Sequence, residues 1–195
     1  MAEIELPDPE ELEEVKAKAF TRRVALTTAV FAVLLAITSL GGNNAMKEML
    51  LAQQQASDQW AFYQAKAIRQ HFYHNERTRL ELDLLERGEA MKPEIKKQLQ
   101  DRLHRLTQEE ARYNAEKQEI GAEAKKLEHE RDINRHKDPY FDYAEVLLQI
   151  AIVMASIAIL SGSGPIYVFA IVAACLGALL SVNGFFLLVN LPFLH

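Results

Sequence analysis

Hydrophobic and polar residues are segregated along this chain into long blocks. Three mainly apolar stretches cover about residues 24–43, 139–162 and 165–191. Each is about 20 residues or more, the length that a helix needs to cross a hydrocarbon core of roughly 30 Å. The pattern predicts an all-α membrane protein with three transmembrane helices.

The sequence between the last two stretches has the signals of a tight turn. Ser161-Gly162-Ser163-Gly164 precedes Pro165, and proline suits the first position of a helix. Asp138-Pro139 has the same signature and marks the predicted start of the second span. Tyr140, Phe141 and Tyr143 then fall where an aromatic belt at the membrane surface is expected.

Residues 44–138 are polar and almost free of glycine and proline, which favours helix. The one strong interruption is at residues 88–93, and it divides the region into arms of nearly equal length. Arms of equal length return the chain to the membrane only if they run antiparallel. We therefore expect a long extramembrane helical hairpin with its tip at 88–93.

The second arm repeats apolar residues every seven positions, as a coiled coil does. Its companion positions are mixed, because Glu110, Lys117 and Arg131 interrupt them. We therefore expect a narrow, coiled-coil-like seam. The repeated residues are Leu99, Leu106, Tyr113, Ile120 and Leu127.

The first arm is richest in apolar residues next to the first span. Trp60 and Tyr63 are the strongest candidates there for a contact with another subunit, and an aromatic core within one chain is the alternative. Ala173 and Gly177 offer a small-residue face for close helix packing in the third span, unless that span is simply rich in alanine and glycine.

Asn183, Ser181 and Asn190 are polar residues on the third stretch. A polar group at this depth requires either a partner on a neighbouring helix or a water-filled pore. Pairing between helices is the commoner role of such residues. We therefore treat the three as candidates for interhelical hydrogen bonds or for a pore lining.

Composition narrows the chemistry. The chain is 49% hydrophobic and 25% charged, yet residues 24–43 carry no charge and residues 144–195 carry only Glu145. Residues 1–23 form an acidic tail that ends in a predicted short amphipathic helix. The single Cys175 excludes an intrachain disulfide, and the near-neutral middle argues against nucleic-acid binding.

No catalytic motif and no cofactor fingerprint is present, so we expect no enzyme and no cofactor. His71 and His74 stand three residues apart on the first arm and could share a face. They are weak candidates for a divalent metal site, because the spacing places no third ligand beside them.

One segment resembles a known family. Residues 20–37 (FTRRVALTTAVFAVLLAI), Gly41-Gly42-Asn43-Asn44-Ala45 and residues 49–66 (MLLAQQQASDQWAFYQAK) look like the bacterial membrane family catalogued as domain of unknown function 4337. The resemblance covers nearly the whole chain and is most specific over residues 41–66. It implies a class and a bacterial origin but no activity. Two glycines and two asparagines at the end of a span also indicate that the backbone unwinds there.

These features together favour a homo-oligomeric scaffold of the bacterial inner membrane, with an unidentified envelope protein as a further partner besides the lipid bilayer. The alternative is an oligomeric channel or transporter lined by polar residues of the spans. Cations before the first span place the N-terminus in the cytoplasm and the hairpin in the periplasm. Cations between Lys125 and Lys137 argue for the reverse orientation.

Overall fold

The computed structural model describes residues 9–190, with side chains from residue 13 onward. Within this range the chain forms α1 (Pro9–Arg87), α2 (Pro93–Ser161) and α3 (Gly164–Phe186), and no strand. The prediction of an all-α protein is confirmed. The start of the predicted acidic tail (residues 1–8) and the last predicted residue of the third span, Leu191, lie outside the described residues.

α1 continues without a break from the first apolar stretch into the polar region. The unwinding expected at residues 41–44 is wrong, because all four residues are helical. Glycine permits other conformations but does not impose them, and here packing decides. A Cβ added to Gly41 would lie 2.6 Å from Phe185 and 2.7 Å from Phe141, so this part of α1 lies against aromatic rings.

α2 is also continuous where a helix start was predicted, since Pro139 lies inside it. Proline has no N–H, so the carbonyl of Arg135 receives no helical hydrogen bond from residue 139. The residues that follow are deeply buried: Tyr140 and Phe141 are 2% exposed and Ala144 is fully buried. Their packing holds the helix through the proline.

The helix ends follow local sequence. α1 ends at Arg87 and α2 begins at Pro93, on either side of the predicted interruption. Gly162 has a φ of +65°, a conformation that favours glycine, and it allows α3 to start two residues later. α3 ends at Phe186, and Leu187 takes a left-handed conformation with a φ of 49°. The third apolar stretch therefore continues beyond its helix.

Each helix contains a stretch long and apolar enough to cross a membrane. We call residues 24–43 of α1, 144–160 of α2 and 164–186 of α3 candidate spans 1, 2 and 3. Many of their large apolar side chains are more than half exposed, which suits a surface in contact with lipid. Examples are Leu26, Val33, Leu40, Val153, Leu160 and Leu179.

The chain divides into two compact units. Unit 1 comprises residues 1–48 and 133–195 and contains the candidate spans. Its core consists mainly of small residues, which allow helices to approach closely. The core residues are Val24, Phe31, Leu148, Ala151, Ala155, Ala158, Tyr167, Ala170, Ala173 and Ala174.

Unit 2 comprises residues 49–132, the end of α1 and the beginning of α2. Its two helical segments contact each other through alternating apolar and polar side chains, described below. The few buried residues described in it include Ala52, Ala56, Leu80, Tyr113 and Ala124.

Candidate functional site

The Phe141 side chain packs closely against three glycines in unit 1. A Cβ added to Gly41, Gly42 or Gly184 would lie 2.7, 3.1 or 3.1 Å from this side chain. Phe185 packs against Phe141, with the two ring centres 4.9 Å apart and the rings nearly perpendicular. The glycines of the most family-like segment thus admit an aromatic ring between helices.

Ser181 is bonded inside the chain. The Thr38 hydroxyl lies 2.9 Å from the Ser181 hydroxyl, and both residues are buried. Thr38 also lies 2.9 Å from the carbonyl of Leu34. The pair links candidate spans 1 and 3, so the Ser181 hydroxyl is hydrogen-bonded between two helices of the chain.

Asn183 closes the end of α3. Its Nδ2 donates to the Val189 carbonyl and its Oδ1 accepts from the Val189 N–H, both at 2.8 Å. The Tyr140 hydroxyl donates to the same carbonyl at 3.2 Å. Asn190 is exposed. The carboxamide of Asn183 therefore holds the segment after α3.

Ala173 and Gly177 are also used within the chain. Both are buried in unit 1. A Cβ on Gly177 would lie 3.1 Å from the Ala144 carbonyl and 3.0 Å from Leu148. This small-residue face therefore packs α3 against α2 within the chain.

In unit 2 the predicted heptad positions of α2 face α1. Tyr113 is 7% exposed and stacks on Tyr73 with ring centres 5.4 Å apart. The other four repeat residues, Leu99, Leu106, Ile120 and Leu127, are half-buried. Spacing alone identified this face, since a seven-residue repeat keeps side chains on one side of a supercoiled helix.

The polar positions that interrupt the companion seam have polar partners on α1. Lys117 donates to Gln70 at 2.6 Å, and Arg131 donates to Gln53 at 3.0 Å. Glu110 accepts from Arg77 at 2.7 Å. The seam is therefore hydrogen-bonded where it is not apolar, which the spacing of α2 alone did not reveal.

Glu110 is the centre of a charged cluster. His74 Nδ1 lies 2.9 Å from its carboxylate, and Arg77 also binds Glu81. Burial opposes ionisation of Glu110, but the hydrogen bonds from His74 and Arg77 outweigh it and lower the pKa of this carboxyl. The hydrogen bond to Glu110 raises the pKa of Arg77.

Three cations surround the Tyr113 ring: Arg112 at 4.8 Å, Lys66 at 5.4 Å and Arg69 at 5.8 Å from its centre. Hydrogen bonding from Arg69, and then from Arg112, lowers the pKa of the Tyr113 phenol. Lys66 is itself paired with Glu116, and that hydrogen bond lowers the pKa of the Glu116 carboxyl.

Trp60 and Tyr63 contact the other helix of their own unit. The Trp60 indole N–H donates to Glu128 at 3.0 Å, and the Trp60 ring meets Tyr63 edge-to-face at 5.2 Å. A Cβ on Gly121 would lie 3.2 Å from the Tyr63 ring. These aromatic residues therefore contact the other helix of their own chain, and both remain partly exposed.

Other apolar residues of this region are exposed instead. Phe62, Ile68 and Phe72 are 60, 70 and 59% exposed, and Leu50 and Leu51 are each 57% exposed. They occupy the positions of α1 that the seam with α2 leaves free. The sequence places them in the same apolar segment as Trp60 but does not separate the two faces.

His71 and His74 have different surroundings. His74 is engaged with Glu110, while His71 is exposed. Among the described residues, no group of three potential metal ligands comes together.

The candidate spans also carry a polar residue that the sequence reading did not single out. Gln149 is exposed on α2 and has no hydrogen-bond partner within residues 13–190. Its place among apolar neighbours was visible in the sequence; its orientation away from the core was not.

Comparison with known proteins finds one family. No curated protein and no solved structure matches the chain. The family described as "Domain of unknown function (DUF4337)" matches residues 20–187, which include all three candidate spans and unit 2. The resemblance recognised in the sequence is confirmed: the chain belongs to the DUF4337 family.

Proposed function

We propose that this protein is a non-enzymatic, homo-oligomeric scaffold of the bacterial inner membrane. The observation that carries the proposal is the exposed apolar face of unit 2, formed by Leu50, Leu51, Phe62, Ile68 and Phe72. It lies in a region with abundant charge, outside the candidate spans. Apolar side chains grouped on a water-facing helix mark an interaction surface, and a second copy of the chain is its proposed partner.

As part of this proposal, unit 2 is an extramembrane helical hairpin of coiled-coil type. Gln53 pairs with Arg131, Gln70 with Lys117 and Arg77 with Glu110. The partner's number falls along α2 as the number rises along α1, as antiparallel helices require. The interruption between Arg87 and Pro93 supplies the tip.

A rigid hairpin suits a scaffold because it presents one face reproducibly. Polar side chains between the two helices form the hydrogen bonds of the seam, and the stacked Tyr73 and Tyr113 rings lie between the helices. The exposed apolar face then points away from the seam and remains available. An envelope protein with a complementary apolar surface is the further partner that we propose.

The channel alternative has less support from the contacts. Ser181 bonds Thr38 and Asn183 bonds Val189, so two of its three proposed lining residues have partners inside the chain. A liposome flux assay distinguishes the two functions. We expect vesicles that contain the reconstituted protein to leak ions no faster than empty vesicles. A faster ion flux that depends on the protein would favour the channel.

Oligomeric state tests the scaffold directly. We expect native mass spectrometry of the full chain in mild detergent to show two or more copies. The double variant Phe62→Ser/Phe72→Ser should lower the fraction of assembled protein. Gln64→Ser is the control, because Gln64 is exposed on the same helix but polar. A single copy for the wild-type chain contradicts the proposal.

We further propose that the N-terminus is cytoplasmic and the hairpin periplasmic, since cations before the first span usually dominate orientation. An introduced cysteine near the tip tests this in a Cys175→Ala background. Glu89 is the suitable position because it is exposed, whereas a Cβ on Gly88 would collide with the Leu84 carbonyl oxygen. Labelling by an impermeant thiol reagent in intact spheroplasts supports the orientation, and protection from it contradicts it.

A further inference from the structure

A polar face of α2 lies on the outside of unit 1. Gln149 stands five residues after Ala144 and eleven before Leu160, well inside candidate span 2, and its carboxamide is exposed. Glu145, one helical turn earlier, is half-buried. Within the described side chains neither residue has a hydrogen-bond or ion-pair partner.

The polar residues on this face repeat every seven positions. Asp142, Gln149 and Ser156 are all exposed, and each is seven residues from the next. That spacing keeps them on one side of a helix that packs in a left-handed supercoil, the commonest crossing of helices in membranes. The side of α2 that packs within the chain is different and consists of Ala144, Leu148, Ala151, Ala155 and Ala158.

Several other polar side chains of the candidate spans are hydrogen-bonded within the chain. Thr38 and Ser181 bond each other. Thr28 donates to the carbonyl of Val24, and Ser156 donates to that of Ile152. The Gln149 amide is different: lipid tails offer it neither a donor nor an acceptor, and amides without partners are unfavourable in hydrocarbon.

We propose that the face formed by Asp142, Gln149 and Ser156 is the contact with a second copy of this chain inside the membrane. The proposal rests on the proposed function, because it requires a homo-oligomer, and it names the span surface that joins the copies. Thereby the exposed amide is covered by protein.

The chemistry of Gln149 selects a second copy as the occupant. A carboxamide carries two N–H donors and one carbonyl acceptor, so it is complementary to itself. Copies related by a two-fold axis along the membrane normal bring two Gln149 side chains together at equal depth. Ser156 is small and lets the helices approach, while Asp142 lies at the end of the span nearest the charged sequence, where water solvates it.

The chain offers a matched pair of positions for a crosslinking test. Its only cysteine, Cys175, is exposed on α3, eleven residues after Gly164. Val153 is exposed on the same face of α2, four residues after Gln149, so a thiol at this position leaves the Gln149 amide in place. The variant Cys175→Ala/Val153→Cys moves the single thiol from one helix face to the other.

Oxidation of the full chain in native membranes with copper phenanthroline and oxygen then reports which face meets its copy. We expect the double variant to form a disulfide-linked dimer at least tenfold faster than the native chain, whose thiol is at position 175. Equal or faster crosslinking through Cys175 overturns the inference. No dimer from either chain, with several copies seen by native mass spectrometry, overturns it and leaves the proposed function intact.

A second variant tests the amide itself. Gln149→Leu suits a lipid-facing helix and removes only the hydrogen-bonding group. We expect the association constant in nanodiscs, measured by energy transfer between labelled copies, to fall at least tenfold. Val172→Leu, an exposed apolar position on α3, is the control that should leave it unchanged. Wild-type association of Gln149→Leu overturns the role of the amide.

Discussion

The packing of Phe141 between glycines predicts a large effect from a small substitution, Gly41→Val. The new Cβ would lie 2.6 Å from Phe185 and 2.7 Å from Phe141. Carbon atoms are most stable about 3.5–4.0 Å apart, so the rings would have to move by nearly 1 Å, before the two methyl groups of valine are placed. Phe141 is 2% exposed, so its ring cannot turn out into solvent without displacing its neighbours.

The magnitude follows from two opposing contributions. Overpacking of a core costs about 1–3 kcal/mol, and three added carbons at this distance place Gly41→Val at about 2.5 kcal/mol. Valine is a better helix former than glycine by about 0.4 kcal/mol, which offsets little. We expect a net destabilisation of about 2 kcal/mol, equivalent to a melting temperature lower by about 4–8 °C.

The assay is the temperature at which half of the detergent-solubilised protein is lost from the monodisperse peak in size-exclusion chromatography. Gly164→Val is the matched control, since no heavy atom lies within 4 Å of a Cβ there. Phe185 is 44% exposed and can be shortened, so Gly41→Val/Phe185→Ala should be more stable than the two single effects predict when added. Equal melting of Gly41→Val and Gly164→Val, or strictly additive effects, would refute the reasoning.

Three further predictions concern polar contacts. Asn183→Ala removes two hydrogen bonds to Val189 and should cost about 1–2 kcal/mol and speed hydrogen exchange at the Val189 amide, whereas exposed Asn190→Ala should change neither. The pKa of Glu110 is lower in the folded state, so its contribution to stability is present above the unfolded pKa and is lost as the pH falls through the folded pKa. The melting temperatures of wild type and Glu110→Gln should therefore differ at pH 7 and converge below about pH 4. A difference that is unchanged down to pH 3 contradicts this. Because the neighbouring arginines lower the pKa of Tyr113, Tyr113→Phe should remove the earliest step from an absorbance titration of the tyrosines, and an unaltered first step would argue against it.

Local sequence determined much of this protein. Three apolar stretches, the residues between Arg87 and Pro93, and the turn around Gly162 were identifiable without coordinates, because segment length, composition and glycine or proline chemistry act between neighbours in the chain. The seven-residue repeat likewise identified Tyr113 as a seam residue, since periodicity alone reports which side of a helix is apolar. The family was also recognisable from the amino-acid sequence alone.

Only the tertiary structure decided how the polar residues are used. Ser181 and Asn183 are both polar residues in an apolar stretch of the sequence. Ser181 is hydrogen-bonded to Thr38, whereas Asn183 is hydrogen-bonded to Val189 at the end of its own helix. Trp60 and Phe62 are two residues apart, but one contacts α2 and the other is exposed. The physical reason is that a donor needs an acceptor in the right place, and these acceptors lie on segments distant in sequence or beyond a helix end. The same reason explains why the exposed amide of Gln149 became visible only in three dimensions.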